Sequence, residues 1–423
     1  MKSSKNADGP LKILFLTDNF PPETNAPATR TYEHARSWVA AGHEVTVLAN
    51  APNFPTGKVF PGYKNKLWQR ETMEGIAVVR VWTYVTANEG FFRRSLDYFS
   101  FAVSGVLGGV FLPRPDVIVA TSPQIFTTLA GCILAWIKRR PFVFELRDLW
   151  PDSIVAVGAM REGSLLRILR CLEYWLYRRS AKIVSVTNSF KQILVANGVP
   201  EEKITVIRNA VDLKAFVPGP KPAELVKRLG LERKFIAAYV GTIGLAHGLG
   251  VLLSAAETLR DREDLAFVIV GTGAEHTKLE GDAKHRGLNN VIFVGAVDKE
   301  EVKLYWRLCD VALVLLRDVP VFQTVIPSKM FEAMGTGRPM ILGVRGESQA
   351  LLQEAGSGIS IPPEDSEALA QAIKKMIDNP VECKEMGAAG RVFVERKFDR
   401  SKLALEMLRV LEEASGQSRT KIG

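Results

Sequence analysis

The sequence has 423 residues, of which 47% are hydrophobic and 24% charged, and this excludes both a disordered chain and a single compact core. The net charge of +9 lies in the first 210 residues, where 26 Lys and Arg stand against 17 Asp and Glu, while the remainder has 29 of each. The first half is therefore expected to face something acidic: nucleic acid, anionic lipid or a diphosphate substrate.

Strands and helices are predicted to alternate along the chain. Short apolar runs predict strands at 12–17, 45–49, 117–121, 142–146 and 183–187, with a helix at 27–41. The pattern restarts with strands at 235–240, 266–271, 291–295, 311–316 and 339–342, and helices near 249–260, 274–286, 299–308, 328–336 and 347–355. Such alternation gives parallel sheets, so the prediction is an α/β protein of two doubly wound, Rossmann-like domains that face each other across a cleft.

The domain boundary is predicted near 209–222, where polar residues and Pro218-Gly219-Pro220 interrupt the pattern. We expect a disordered tail over 1–10, a first domain over 11–210 and a second over 211–400. A C-terminal helix and tail occupy 401–423, and this helix can pack back on the first domain.

In the first domain, chemistry is expected in the loops that follow strands, because ligands bind there in open α/β sheets. The loop 18–26 precedes a helix whose free N–H groups could bind an anion, and a plain connecting loop is the alternative. After the strand at 142–146, Arg147 could neutralise a phosphate and Asp148 could accept or orient a hydroxyl proton. The alternative is an Arg–Asp pair that only holds the loop in place.

The second domain has a glycine-rich loop, 241–248, directly after its first strand. Its glycines let the backbone approach phosphate oxygens, and His247 could donate a hydrogen bond to a diphosphate. Gly271 and Gly273 follow the next strand, but they do not complete a dinucleotide-binding pattern.

The strongest local pattern lies at 322–339, where Pro327 ends a loop and Ser328 predicts a helix start at Lys329. Lys329 would then stand beside a bound phosphate, and Glu332, one turn later, could bind vicinal ribose hydroxyls. The alternative is a capped helix in which Glu332 only complements the helix dipole.

An apolar segment over 95–113 follows Arg93 and Arg94, and further basic residues stand at 138–140. Asp97 and the glycines argue against a membrane-spanning helix, so the prediction is peripheral contact with an anionic membrane. A core helix beside a solvated basic loop is the alternative. The four cysteines are scattered without a Cys-x-x-Cys pair, and no secretory signal opens the chain. A cytoplasmic location, on the inner membrane face, is expected.

Over nearly its whole length the chain resembles family 4 of the retaining glycosyltransferases of the GT-B fold, closest to the bacterial O-antigen and colanic-acid transferases. The resemblance rests on FPPETNAPATRTYEHARSWVAAGHEVTV, SVTNSFKQIL, ITVIRNAVDLKAF, YVGTIGLAHGLGVLLSA, FVIVGTG, VIFVGAVDKEEVKLYW and IPSKMFEAMGTGRPMI, together with ELRDLWPDS and FQTVIPSK.

This resemblance implies that the first domain binds the acceptor and the second binds a nucleotide-sugar. In the second, Glu332 would hold the donor ribose, Lys329 and the 241–248 loop the diphosphate, and backbone near Phe293 and Val294 the base. The full set of donor residues it implies is Gly241, Thr242, His247, Gly271, Gly273, Phe293, Val294, Thr324, Ser328, Lys329 and Glu332.

In the first domain, the resemblance implies that the loop containing Glu23, Thr24, Asn25 and Ala26 approaches the donor phosphate or the acceptor, with Arg147 nearby. Asp148 stands where many members have a His-Asp pair, so the implied catalytic residues are Asp148, Lys329 and Glu332.

Three donor-site positions depart from the family pattern, and in the first domain Asn25-Ala26-Pro27 stands where paired glycines are common. Thr324 replaces the first Glu of a Glu-x7-Glu pair, and Thr242 and His247 stand where Arg and Lys are common. Less positive charge is then available to the leaving diphosphate.

The predicted activity is transfer of a sugar with retention at the anomeric carbon, without a metal or other cofactor. The expected acceptor is a glycan linked to polyprenyl diphosphate, in bacterial surface polysaccharide biosynthesis, and nucleic acid is not expected as a partner. Two alternatives remain open: a GT-B-fold nucleotide-sugar epimerase, and a non-catalytic nucleotide-sugar-binding protein.

Overall fold

A computed structural model describes residues 9–54, 56–86, 91–156, 158, 160 and 163–417. Residues 1–8 of the predicted N-terminal tail and 418–423 of the C-terminal tail lie outside the described residues. The chain divides into two compact units, the first formed by residues 1–208 and 401–423 and the second by 209–400.

In the first unit, the described residues form an eight-stranded sheet in the order β3-β4-β2-β1-β5-β6-β7-β8. All neighbours are parallel except the β3–β4 hairpin. The strands are β1 (Lys12–Leu16), β2 (Glu44–Asn50), β3 (Trp68–Met73), β4 (Ile76–Val81), β5 (Val117–Thr121), β6 (Phe142–Leu146), β7 (Lys182–Ser185) and β8 (Ile204–Val206). The helices are α1 (Ala26–Ala40), α2 (Phe91–Val110), α3 (Ile125–Lys138), α4 (Asp152–Ala156), α5 (Ser164–Arg179), α6 (Asn188–Ala196) and, from the end of the chain, α15 (Arg400–Ser415).

The second unit has a six-stranded parallel sheet among the described residues, in the order β11-β10-β9-β12-β13-β14. Its strands are β9 (Phe235–Val240), β10 (Leu265–Val270), β11 (Val291–Gly295), β12 (Val311–Leu315), β13 (Met340–Gly343) and β14 (Gly358–Ser360). Its helices are α7 (Ala223–Arg228), α8 (Gly250–Thr258), α9 (His276–His285), α10 (Lys299–Leu308), α11 (Lys329–Gly335), α12 (Glu347–Ala355), α13 (Ser366–Asp378) and α14 (Pro380–Lys397).

Helices cover both faces of each sheet, which explains why the central strands are continuous apolar runs. Phe15 and Val119 in the first sheet and Phe267 and Leu313 in the second are completely buried. The predicted fold class, two Rossmann-like α/β domains, is therefore confirmed.

Helix α1 begins one residue earlier than predicted, because Asn25 is its N-cap and the Asn25 side chain accepts a hydrogen bond from the Ala28 N–H at 3.0 Å. Its buried face includes His34 and Trp38, which contact α15: the Trp38 indole donates to the Ala404 carbonyl at 2.7 Å. The last helix is thus part of the first unit's core.

Candidate functional site

The loop after β9 is the centre of the candidate donor site in the second unit. Gly241 has a φ of +140° and Gly248 a φ of +57°, and between them residues Leu245–His247 form one turn of 3-10 helix. Glycine is favoured at such angles because most other residues are strained there. A Cβ on Gly241 would lie 3.1 Å from the Lys329 Nζ, so this loop and the start of α11 are immediate neighbours.

The two glycines after β10 have a packing role. A Cβ on Gly271 would lie 2.0 Å from the Gly241 carbonyl oxygen, and one on Gly273 would lie 2.3 Å from that of Ile243. Neighbouring backbone therefore fills the space that a side chain at either position would need, and this close approach holds the 241–248 loop in place. Contact of Gly271 and Gly273 with the donor stays a prediction.

Lys329 is the residue that makes this region cationic. Its Nζ is buried, lies 3.9 Å from the centre of the Tyr239 ring, and has no hydrogen-bond partner among the described residues. Burial lowers the pKa of Lys329 to about 7, an effect that the Glu332 carboxylate partly opposes. A buried ammonium without a partner is costly, and a bound anion would relieve that cost.

Glu332 lies one turn further along α11, and its position is set by Trp306. The Trp306 indole donates to Glu332 Oε2 at 2.9 Å, while Trp306 itself is completely buried. The indole thus fixes the orientation of a half-buried carboxylate, which is what recognition of a pair of hydroxyls requires.

His247 was predicted to donate to the diphosphate, and that role stays a prediction. Burial and the nearby Lys329 lower the pKa of His247 to about 3, so the imidazole is neutral at physiological pH. Its Nδ1 lies 3.3 Å from the Gly244 carbonyl oxygen. A carbonyl only accepts, so a hydrogen bond here requires the proton on Nδ1, which leaves Nε2 as an acceptor suited to a hydroxyl.

The other predicted donor residues are dispersed around this centre. The Thr242 carbonyl accepts a hydrogen bond from the Tyr239 hydroxyl at 2.6 Å, and the Thr324 hydroxyl donates to the Val321 carbonyl at 2.6 Å. Ser328 precedes α11 as predicted, but its side chain makes no capping hydrogen bond. Phe293 and Val294 lie on β11, where the Phe293 ring packs edge-on against His276 at 5.8 Å.

In the first unit, the predicted loop 23–26 is braced by Glu23. Its Oε1 accepts from the Asn53 and Phe54 N–H groups, both at 2.8 Å, and its Oε2 from the Phe20 N–H at 3.2 Å. Both oxygens are used within the protein, so Glu23 shapes the loop and does not present a free carboxylate.

The other residues of this loop are placed differently. Thr24 and Ala26 are exposed, whereas the Asn25 side chain is occupied as the N-cap and also donates to Asn19 Oδ1 at 2.8 Å. The helix N-terminus that was predicted to bind an anion therefore has one of its N–H groups already satisfied by the protein.

Asp148 and Arg147 lie directly after β6, at the carboxyl edge of the first sheet. Both backbone N–H groups donate to the Ser122 hydroxyl, at 3.4 and 2.8 Å respectively. Burial raises the pKa of Asp148, although hydrogen bonds from Ser153 and the Leu149 N–H oppose the rise. Asp148 thus orders the loop after β6 through these contacts, and its catalytic role stays a prediction.

Four residues in these regions were missed as site residues by sequence reasoning. Tyr239 and Trp306, which position Lys329 and Glu332, look like ordinary core aromatics in the sequence. Arg30 and Glu145 form a buried ion pair of 2.8 Å, and Arg30 also donates to the Ile207 carbonyl at 3.2 Å. The only feature of the sequence that could have indicated this pair is the charge of Glu145, which lies inside an otherwise apolar strand.

Helices α2 and α3, with Phe111 directly after the end of α2, carry an exposed apolar surface, here called the α2–α3 patch. Phe111 is 81% exposed, Trp136 80% and Leu107 63%. The remaining members of the patch are Leu96, Phe99, Val103, Val110, Ile133 and Ile137. Exposed basic residues adjoin it at Arg93, Arg114 and Arg139. Across the described parts of the chain, no helix is long and apolar enough to cross a membrane.

Metal ligands do not converge within the portions of the chain that the structure describes: no three His, Cys, Asp or Glu side chains come together as a metal site would require. The expectation that no metal takes part stays a prediction.

Comparisons with protein families divide the chain as the structure does. The family model described as a glycosyl transferase 4-like domain matches residues 25–210, and the model described as glycosyl transferases group 1 matches residues 223–393. The first range falls essentially in the first unit, and the second range falls wholly in the second unit.

Individual relatives and solved structures agree with these matches. The chain is 26% identical to a putative colanic acid biosynthesis glycosyl transferase, WcaI, of Escherichia coli, over 94% of this chain and 99% of that protein. An O-antigen chain mannosyltransferase C of Escherichia coli is 32% identical over 38% of this chain and 42% of that protein. The solved structure of Anabaena HepE with UDP and glucose has a TM-score of 0.71 at 18% identity, covering 95% of this chain and 99% of that one.

Proposed function

Because this chain belongs to the glycosyltransferases of the GT-B fold, we propose that it transfers a sugar from a nucleoside-diphosphate donor, with retention at the anomeric carbon. The observation that carries the proposal is the buried Lys329 ammonium beside the Gly241 loop, with Glu332 one turn away. The UDP and UDP-glucose in the titles of related HepE structures support a nucleotide-sugar as the donor.

The proposed mechanism depends on the charge of the leaving group. As the glycosidic bond breaks, negative charge collects on the diphosphate, and a preorganised cation lowers the barrier most if it is already desolvated. Lys329 has that environment, and we propose that it, and not a metal, holds the diphosphate. Glu332 would accept hydrogen bonds from the ribose hydroxyls, and attack would come from the face that the leaving group vacates.

The acceptor is proposed to be a glycan on polyprenyl diphosphate at the inner face of the cell membrane, in bacterial surface polysaccharide biosynthesis. The support is the name of the WcaI relative, the excess of positive charge in the first 210 residues and the α2–α3 patch. Exposed apolar side chains with adjacent Arg and Lys suit an anionic bilayer surface.

The donor is best identified by thermal-shift screening of UDP-, GDP- and dTDP-sugars, followed by turnover with the best ligand and a lipid-linked acceptor in buffer containing EDTA. A bound donor stabilises the folded protein by mass action, so the correct nucleotide should give the largest shift. Product with inverted anomeric configuration, or an epimerised donor formed without any acceptor, would contradict the proposed reaction.

The affinity for the nucleoside diphosphate should fall as pH rises. Lys329 binds a phosphate only when protonated, and its pKa is lowered to about 7 in the free protein. Between about pH 7 and about pH 9, the dissociation constant of UDP or GDP should therefore increase by up to about tenfold per pH unit. The phosphates are already ionised throughout this range, so they do not contribute to the change. Calorimetric titration across this range tests the prediction, and Lys329→Met, which cannot titrate, should show no such slope.

The α2–α3 patch should be required for membrane binding. Replacing Leu107 and Trp136 together by Glu removes two large exposed apolar side chains and should weaken binding to phosphatidylglycerol vesicles by about 100-fold. Co-sedimentation measures the effect, with phosphatidylcholine vesicles as the uncharged comparison. The matched control replaces Val381 and Val392 by Glu, two exposed apolar residues of the second unit. Equal losses in the two double variants would show that the α2–α3 patch is not the membrane-binding surface.

A further inference from the structure

Two opposite charges at the start of α11 stay apart although the helix places them close together. Lys329 and Glu332 are three residues apart, a spacing at which oppositely charged side chains on a helix can pair. Yet the Lys329 Nζ makes no hydrogen bond to Glu332 or to any other described residue. Because a buried ammonium attracts a carboxylate more strongly than an exposed one does, other groups must hold these two side chains apart.

Two aromatic side chains from other elements hold the charges. The Trp306 indole N–H donates to Glu332 Oε2 at 2.9 Å, and the Lys329 Nζ lies 3.9 Å from the centre of the Tyr239 ring. Trp306 and Tyr239 are both completely buried, one on α10 and the other on β9. Each charge therefore has its own aromatic partner, and the two partners belong to different parts of the second unit.

The indole of Trp306 is the stronger of the two restraints. A hydrogen bond to an ionised carboxylate is directional, whereas an ammonium can move over the face of a ring with little loss. The backbone around Trp306 is itself held on both sides. The Tyr305 hydroxyl accepts from Arg228 Nη2 at 3.0 Å, and the Arg307 carbonyl accepts from Arg338 Nη2 at 2.6 Å. The indole thus fixes the Glu332 carboxylate to a part of α10 that cannot easily move.

A direct pair between Lys329 and Glu332 would weaken the site for an anion. The carboxylate would supply the hydrogen bonds that the buried ammonium lacks, and a phosphate would have to displace it first. The carboxylate would also leave the orientation that the indole gives it. With the two side chains apart, the cost of the unpartnered ammonium is relieved only when an anion binds.

We propose that Trp306 is a positioning residue of the donor site, whose indole N–H keeps Glu332 from pairing with Lys329 and so leaves the ammonium available to an anion. The identification of that anion as the diphosphate of a donor rests on the proposed function. The separation of the two charges does not, because it can be measured in the free protein.

The groups that face Lys329 make its titration a direct measure of this separation. Burial lowers the pKa of Lys329 to about 7, and Glu332 partly opposes that effect. His247 faces Lys329 from the 241–248 loop and is neutral, since burial and Lys329 lower its pKa to about 3. Tyr239 is not ionised, because burial raises the pKa of its hydroxyl. A direct pair with Glu332 would therefore raise the pKa of Lys329, since an adjacent carboxylate favours the charged ammonium.

The first measurement is the titration of Lys329 in the full, unliganded chain, followed by NMR of isotope-labelled lysine side chains. The Lys329 signal is assigned by its loss in Lys329→Met. Trp306→Phe removes the indole N–H and should raise the titration midpoint of Lys329 by at least about one pH unit. Combining Trp306→Phe with Glu332→Gln leaves no carboxylate to form the pair, so the midpoint should return to the wild-type value or fall below it.

The matched control is Trp38→Phe. Trp38 is also completely buried, and its indole donates to the Ala404 carbonyl in the first unit. This variant should lose stability as Trp306→Phe does but leave the Lys329 midpoint unchanged. If Trp306→Phe does not fold, benzothienylalanine at position 306 replaces the indole N–H by sulfur and keeps the shape of the ring system. The same rise of the midpoint is then expected.

The second measurement is titration of the same proteins with UDP and GDP. In Trp306→Phe, the preferred nucleotide should bind about tenfold more weakly below about pH 7, because its phosphate must displace the Glu332 carboxylate. The pH above which the affinity falls should move upward together with the Lys329 midpoint.

The two measurements separate the two proposals. If the Lys329 midpoint is unchanged in Trp306→Phe, or moves equally in Trp38→Phe, the positioning proposal is wrong and the proposed function stands. If the midpoint moves as expected but neither nucleotide binds the wild-type protein, the positioning of Glu332 by Trp306 is supported and the donor proposal is the one that fails.

Discussion

Lys329→Met is expected to lower kcat/KM for sugar transfer by about 10²- to 10³-fold, the effect of removing one preorganised charge from a leaving group. Methionine keeps the length and the apolar stem of lysine, so the packing against Tyr239 is retained. The loss should appear mainly in kcat, because the negative charge on the diphosphate is largest in the transition state.

The same substitution should stabilise the unliganded protein. The buried Nζ of Lys329 has no hydrogen-bond partner among the residues the structure describes, and its pKa is lowered to about 7. Above pH 7 the unfolded chain binds a proton at this lysine that the folded protein does not, so wild-type stability should rise with pH until the unfolded pKa is reached. At neutral pH, Lys329→Met should melt at a higher temperature than the wild type. Its stability should also lack the part of the increase with pH that Lys329 causes in the wild type.

A change in activity without a change in stability would contradict this interpretation of Lys329. A suitable control is Lys284→Met, because Lys284 is an exposed lysine on α9 that pairs with Glu280 at 2.8 Å. It should leave both transfer and melting temperature nearly unchanged, since exposed ion pairs contribute little.

Gly271→Ala is expected to destabilise the protein by at least about 3 kcal/mol and to abolish nucleotide binding. The φ of Gly271 is +128°, where an L-residue is strained, and the new Cβ would lie 2.0 Å from the Gly241 carbonyl oxygen. Backbone cannot move aside as a flexible side chain can. The 241–248 loop must therefore shift, and with it the position of Gly241 beside Lys329.

Thermal unfolding and nucleotide titration measure the two consequences of Gly271→Ala. The matched control is Gly287→Ala, where φ is +63° and no atom lies within 4 Å of the added Cβ. That variant bears only the conformational cost, about 1 kcal/mol, and should bind nucleotides normally. Similar melting temperatures for the two variants would contradict this prediction, because they would show that the 241–248 loop can accommodate a Cβ at position 271.

Much of the fold could be predicted from the sequence because buried parallel strands are short apolar runs between helical stretches. Runs such as 117–121 and 142–146 coincide with β5 and β6. The β3–β4 hairpin was missed, since β3 (WQRETM) lies at the sheet edge and contains few apolar residues. Strand β14 was also missed, because three residues, Gly-Ile-Ser, give no periodic signal.

The candidate donor site was predictable only in part. Lys329 and Glu332 belong to one local pattern, and their closeness follows from helical spacing. Their partners Tyr239 and Trp306 come from β9 and α10, and no local pattern brings them together. Tertiary contacts of this kind are not encoded in the spacing of one segment.

The central claim is that Lys329 binds the diphosphate of a nucleotide donor. It is tested most directly by titrating wild-type and Lys329→Met protein with the preferred nucleoside diphosphate and with its monophosphate. We expect the wild type to prefer the diphosphate strongly and the variant to bind the two nucleotides nearly equally. An unchanged preference in Lys329→Met would contradict the central claim.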